Sequence, residues 1–385
     1  MMIQAVLGNP HHPEYGVATI PFPIPRDQYA HCMELLEALE IGDALKADCK
    51  VEKIDSFYSV LKRTEMLTVN VEELNYLAKR LESFDTGEAA QFQAMAHKLE
   101  LFELKDLINL TFCCQQATVI TDFSDLAAIG RDHYMNLHGG SASVDELNAL
   151  DGKGTARQLI ESGSGTVTPY GVVYDNGMKL EQVYDGRFFP CYYYEPNAIT
   201  VAVTSKAEPE DTEHITWLFL PMVQEEIDRA LLRGGITDPS EIRLSLEDSW
   251  LPHEVLDLLD MDHVDISELN ALVQALDEFS DMSIRKYAAA AVMARPHTTE
   301  QAKHLAENLD LFDFAPSAST PEEYGKYMIQ KPGRFDYDEN LDAFYDYEKY
   351  GTERMNAEDG MFTDRGYIAY KGYTSMEEVM NGSQS

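Results

Sequence analysis

The chain has 385 residues, 67 acidic and 30 basic, for a formal net charge of −37. A field of that sign repels nucleic acid and anionic membranes and attracts basic surfaces, so direct nucleic-acid or membrane binding is not expected. With 44% apolar residues, 21 Tyr and 16 Phe the chain can bury real cores, so it is no disordered acidic tail, and its length suits two or three domains.

The first residues, MMIQAVLGNPHHPEYG, lack the basic start and long apolar run of a signal peptide. No apolar stretch reaches the roughly 18 residues of a membrane span. Two extended segments, MIQAVLG and YGVATIPF, precede a helix, RDQYAHCMELLEALE, that stops near Gly42. Together they make a ββα module. Next comes VEELNYLAKRLESF, from Val71 to Phe84. Asn70 caps it and Glu73 sits at the third helical position, the pattern of a capping box. Leu74, Leu77 and Leu81 form one buried stripe. A second helix, GEAAQFQAMAHKLE, completes a small bundle, and a mixed, tyrosine-rich part ends in the strand YGVVYD. The following FFPCYYYEPNA is too aromatic for a free linker and is expected to pack.

The same programme then restarts. AITVAVTS and HITWLFLP are extended, and VQEEIDRALLR is a helix ended by Gly234 and Gly235. ISELNALVQALDEF, from Ile266 to Phe279, has Asp265 as cap, Glu268 at the third position and the stripe Leu269, Leu272 and Leu276. DMSIRKYAAAAVMARP and a closing strand, GYIAYKG, follow. Each half is α+β, assembled from small modules.

The two quoted helices share six identities, each 195 residues apart: Glu73/Glu268, Leu74/Leu269, Asn75/Asn270, Leu77/Leu272, Leu81/Leu276 and Phe84/Phe279. GTVTPYG (Gly165 to Gly171) faces GMFTDRG (Gly360 to Gly366) at the same offset. GTAR (Gly154 to Arg157) faces GTER (Gly351 to Arg354) at 197, MKLEQVYDG faces TSMEEVMNG at 196, and the segments around Pro23 and Pro221 align at 198. Blocks that keep one order and nearly one offset imply a tandem duplication, with small indels in surface loops. The expected organisation is unit 1 over 1–186, an aromatic connector over 187–196 and unit 2 over 197–385. The repeated helix residues read as core and cap rather than as chemistry.

No motif of a catalytic or cofactor site survives inspection. GKGT at Gly152 to Thr155 lacks the rest of a P-loop. Asp336, Asp338, Asn340 and Asp342 fall at calcium-loop positions 1, 3, 5 and 7, but Leu341 occupies the glycine position and Tyr347 the bidentate glutamate position. His11 and His12 have no third ligand nearby, and HEVLD at His253 lacks the second histidine of a zinc-protease helix. Cys32, Cys49, Cys113, Cys114 and Cys191 are odd in number and show no CxxC spacing, which reads as reduced thiols in a cytoplasm. No enzymatic activity, cofactor or metal is expected.

The acids themselves remain. Residues 1–190 hold 28 acidic and 15 basic side chains, a net −13, whereas 191–385 hold 39 and 15, a net −24. In the second half they cluster as Glu225, Glu226 and Asp228; Glu247, Asp248, Glu254, Asp257, Asp260 and Asp262; Glu322 and Glu323; and Asp336, Asp338, Glu339, Asp342, Asp346 and Glu348. Duplex DNA carries one negative charge about every 1.7 Å of axis. A folded surface with carboxylates at comparable intervals can therefore compete for a DNA-binding groove. These seventeen residues are the candidate acidic surface.

The order of a ββα module, a helix opening ELNxL and a tyrosine-rich part before a closing strand resembles the ArdA antirestriction proteins of conjugative plasmids and transposons. In this chain the resemblance is carried by AITVAVTS, HITWLFLP, EEIDRALL, DISELNALVQAL, EKYGTERM and GMFTDRGYIAY, and more faintly by MIQAVLG, YGVATIPF, VEELNYLAKRL, GKGTARQL and GTVTPYGVVY. It implies an elongated, acidic, non-enzymatic DNA mimic that occupies the DNA groove of type I restriction–modification enzymes. Family members are about as long as one unit and usually dimeric, so two units in one chain imply either a pseudo-dimer within the chain or a homodimer. Unit 1 has only a modest charge and the basic pairs Lys62-Arg63 and Lys79-Arg80, which suits a scaffolding role. The alternative is an acidic interaction module of a mobile element that binds some other basic protein.

Overall fold

The computed structural model describes residues 3–192, 197–207, 213–259, 263–331 and 336–382. It is an α+β protein whose described strands form four antiparallel sheets. The chain divides into two compact units: Met1–Glu195 with Glu225–Gly235, and Pro196–Gln224 with Ile236–Ser385.

Unit 1 opens with β1 (Ile3–Gly8) and β2 (Val17–Phe22), then the helix Tyr29–Glu37. β3 (Cys49–Asp55) and β4 (Thr68–Val69) complete a sheet of order β2-β1-β3-β4. Ile3, Ala5 and Leu7 alternate with more exposed neighbours on β1, as do Ala18, Ile20 and Phe22 on β2, so one face of the sheet carries the core. The ββα reading thus gains two further strands, β3 and β4. CKVEKID looks polar, and only Cys49, Val51 and Ile54 of it are buried. The helices Val71–Glu82, Thr86–Lys98 and Leu104–Leu110 form the expected bundle. After β5 (Thr118–Ile120) come the helices Leu126–Leu137, Val144–Ala149 and Gly152–Glu161, then β6 (Thr166–Thr168) and β7 (Gly171–Tyr174), in the order β5-β7-β6.

Unit 2 has a similar but not identical element order among the described residues. β8 (Ile199–Ser205), β9 (Thr216–Leu220) and β10 (Ile242–Ser249) pair in the order β10-β8-β9, so β10 is again a strand beyond the ββα reading. The helices His253–Leu256, Ile266–Leu276, Asp281–Ala294 and Thr299–Glu307 follow. β11 (Phe312–Pro316), the helices Pro321–Gln330 and Tyr347–Glu358, β12 (Gly360–Thr363) and β13 (Gly366–Tyr370) build a second sheet, β11-β13-β12, before a last helix, Met376–Met380.

The repeated helices bury their leucine stripes as expected, but their caps differ from the capping-box reading. Asn70 accepts the Glu73 N–H, and Asp265 accepts those of Ser267 and Glu268, so each cap is present. The returning half is absent, because each glutamate holds another element instead. Glu73 accepts from the Tyr184 hydroxyl (2.8 Å), and Glu268 accepts from that of Thr299 (2.7 Å). The repeated asparagines are more than core. Asn75 accepts the Ile24 N–H (2.8 Å) and Asn270 accepts that of Met222 (2.9 Å), each amide lying just after a cis proline, Pro23 or Pro221. The repeated threonines match as well: Thr168 donates to the Gly171 carbonyl and Thr363 to that of Gly366, both at 2.8 Å.

The aromatic connector packs on the helix Val71–Glu82. The Phe189 ring stacks on Tyr76 (4.5 Å) and on Tyr184 (5.1 Å), and the Tyr76 hydroxyl donates to the Pro190 carbonyl (2.8 Å). Residues 193–196 of that stretch lie outside the described residues. Four of the five cysteines are buried, and none forms a disulfide among the described residues. Among the described residues no helix is long and apolar enough to cross a membrane.

Candidate interaction surface

The candidate acids divide into those the fold consumes and those it presents. Glu225, Glu226 and Asp228 lie on the helix Gln224–Gly234, which from Glu225 onward is part of unit 1. Ile227 and Leu231 point it into the core, leaving Asp228 exposed. Glu226 is half-buried and pairs with Lys79 at 3.1 Å. Burial pushes the Glu225 carboxyl up; Arg229 pulls it down, and Glu34, Glu37 and Glu72 add to the rise. Arg229 itself pairs with Glu72 at 2.6 Å.

Arg233, on the same helix, is 5% exposed. It donates to the carbonyls of Ala44 (2.8 Å), Arg187 (2.8 Å) and Gly186 (3.0 Å), to the Asn70 side chain (3.2 Å) and to the Tyr184 hydroxyl, and its guanidinium lies 4.4 Å from the Phe189 ring centre. The helix that reads as an acidic face therefore works in unit 1 as a basic plug. The Lys79-Arg80 pair is likewise structural. Besides the Lys79–Glu226 contact, Arg80 donates to Thr111 and lies over the rings of Phe112 (4.2 Å) and Tyr192 (4.4 Å).

In unit 2, Glu247 and Asp248 are exposed at the far end of β10. The register of β10 against β8 shifts between Leu246 and Asp248, so Glu247 occupies a bulge. Asp257 is exposed at the end of the helix His253–Leu256. Glu254 on that helix is not presented: it holds Arg365 through two contacts, at 2.7 and 3.2 Å. Burial alone would raise its carboxyl pKa, but the Arg365 hydrogen bond and charge outweigh burial and lower it. Asp260 and Asp262 lie outside the described residues.

Glu322 and Glu323 are exposed in the first turn of the helix Pro321–Gln330. Glu323 folds back onto Ser319, accepting from its hydroxyl (2.6 Å) and its N–H (2.8 Å), and these bonds hold its carboxyl below the usual range. In the last cluster Asp336, Asp338, Glu339, Asp346 and Glu348 are exposed. Asp338 caps the short 3₁₀ turn Glu339–Phe344 by accepting from Asn340 (2.9 Å), and Asp346 caps the helix Tyr347–Glu358 by accepting from Lys349 (3.0 Å). Asp342 faces inward. It accepts from the hydroxyls of Tyr337 (2.6 Å) and Tyr347 and from Gln330 (3.2 Å), and the phenol bonds hold its carboxyl down. Two residues of the calcium-like spacing are thus used by the turn itself. Among the described residues no group of three or more His, Cys, Asp or Glu is placed to hold a metal ion.

Two apolar side chains stand among these acids, Leu341, noted in the sequence only as a misfit in a calcium loop, and Phe344, and both are exposed. Their three-residue spacing inside an acidic run was the available signal.

Residues 212–369 match the family described as "Antirestriction protein (ArdA)". That stretch, which takes in most of unit 2, is similar to the ArdA family. No curated protein and no solved structure matches the chain.

Proposed function

We propose that the chain is an antirestriction protein that acts as an acidic DNA mimic. It occupies the DNA-binding groove of a type I restriction–modification enzyme and blocks DNA binding and cleavage. The observation that carries this reading is the ArdA match over 212–369, in the half of the chain with a net −24. The exposed carboxylates of β10, the helix starts and the 336–348 cluster stand in for phosphates, and the buried leucines and tyrosines fix their spacing. The protein has no catalytic role and needs no cofactor. It excludes DNA by holding a basic groove with like charge, and its binding weakens as salt screens that attraction.

Two ArdA-like units, over 1–186 and 197–385 with the aromatic connector between them, make one chain equivalent to a pair of single-unit proteins. The recurring bonds of Asn75 and Asn270, and of Thr168 and Thr363, favour this organisation.

The test is a competition titration. A type I restriction–modification enzyme is held with labelled duplex DNA, and the purified chain is added at low and at high salt, with direct binding to the enzyme measured in parallel. Displacement at low salt, with binding that weakens at high salt, is the expected result. Failure to displace DNA at either salt overturns the reading. A monomeric mass in solution together with inhibition is the result expected of the two-unit organisation, and an obligate dimer of the whole chain contradicts it.

A further inference from the structure

A surrogate made of charge alone has no use for aromatic surface in water, yet an acidic turn of unit 2 carries it. Phe344 is 84% exposed and Leu341 48% exposed. Both belong to the 3₁₀ turn Glu339–Phe344, where residues three apart lie one above the other, so they share a face. A neighbouring face of the turn is tied down: Asp342 accepts from Tyr337, Tyr347 and Gln330, and the Asp338 cap closes the start. The apolar pair is therefore held outward on a fixed support. Exposed carboxylates flank it in sequence at Asp336, Glu339 and Glu348. Single exposed apolar residues are ordinary. Two on one face of a braced turn, set among carboxylates, match the anatomy of an interface: an aromatic anchor inside a charged rim.

We propose that Phe344, with Leu341 beside it, anchors unit 2 in an apolar recess on the floor of the partner's basic groove. This rests on the reading of the chain as an occupant of a DNA-binding groove and adds what duplex DNA lacks there. The carboxylates supply attraction that salt screens, while the anchor supplies burial that salt does not weaken. Because the turn is already braced, little ordering cost offsets its insertion.

The test uses the full chain and a type I restriction–modification enzyme, with direct binding and displacement of labelled DNA measured at two salt concentrations. Phe344→Ala is expected to weaken binding roughly 10- to 30-fold at both salts, leaving the salt slope unchanged. Phe344→Leu is expected to keep most of the affinity, and unchanged melting of both variants shows that the fold is intact. A Phe344→Ala chain that binds and displaces DNA as well as the unaltered one overturns the anchor and leaves groove occupation standing. An Ala variant whose deficit disappears at one of the two salts also overturns it. If the unaltered chain displaces no DNA, the groove reading falls and the anchor falls with it.

Discussion

Arg233 decides more than any other single side chain described. A guanidinium buried to 95% is costly unless its donors are matched, and here they meet three carbonyls, one carboxamide and one phenol. The phenol passes the interaction on, since Tyr184 donates to Glu73 while its backbone is pinned by Asn109 on both sides. Replacing Arg233 by Met keeps much of the volume but leaves these acceptors buried without their donor. The expected loss is about 3 kcal/mol of stability, as for other broken buried charge contacts. A denaturant titration of the full chain, following the transition that reports on unit 1, measures it. A midpoint within error of the unaltered chain's contradicts the account. Arg233→Lys should recover little, because one ammonium cannot reproduce the planar fork. None of this was legible in VQEEIDRALLR. The leucine spacing gave the helix, but the partners of its arginines lie about 40 to 190 residues earlier in the chain.

Helices and hairpins were read well where local periodicity or capping chemistry specified them, and poorly where a distant partner did. The stripes of Leu74, Leu77, Leu81 and of Leu269, Leu272, Leu276 are buried as the spacing requires. β3 and β10 escaped notice because their pairing with β1 and β8 is set by tertiary contact rather than by a hairpin turn. The glycines show the same limit. GTAR and GTER suggested that Gly154 corresponds to Gly351, but a side chain on Gly154 would meet only the Asp151 side chain, whereas one on Gly351 would meet the backbone of another helix. A side chain on Gly130 would meet the Gly152 carbonyl at 1.8 Å; in unit 2 one on Gly325 would meet the Tyr347 carbonyl at 2.0 Å, and one on Gly351 the Pro321 carbonyl at 1.8 Å. In each unit two helices cross with backbone against backbone. Gly325→Ala must push the helices Pro321–Gln330 and Tyr347–Glu358 apart, because the obstacle is backbone and cannot rotate away. About 1–3 kcal/mol of destabilisation is expected, the range for overpacking. Thermal unfolding of the full chain checks it. A melting temperature equal to that of the unaltered chain would show that the crossing is looser than this packing requires.

At the scale of the molecule, the charge excess was plain from composition, but which acids face outward was not. Glu254 spends its charge on Arg365, Glu226 on Lys79, and Asp342 on two phenols, and no spacing rule in the sequence separates these from Asp336, Glu339 or Glu348. The distinction has a consequence in solution. Duplex DNA releases about 0.9 counterion per neutralised phosphate. A carboxylate that stands in for a phosphate contributes at most about that much to the salt slope. Asp336→Asn, Glu339→Gln and Glu348→Gln made together leave the cap bonds of Asp338 and Asp346 and the brace at Asp342 in place. The triple variant should therefore fold and melt as the unaltered chain does. It should bind a type I restriction–modification enzyme more weakly at low salt, with the slope of log affinity against log salt reduced by less than about 3 in total, and the two chains should converge as salt rises. Direct binding across a salt series measures both quantities. An unchanged slope would remove this cluster from the contact surface and leave the exposed acids of β10 and of the helix starts as the phosphate surrogates. A loss of affinity that is the same at every salt would mean that these carboxylates act through shape or hydrogen bonding rather than through charge.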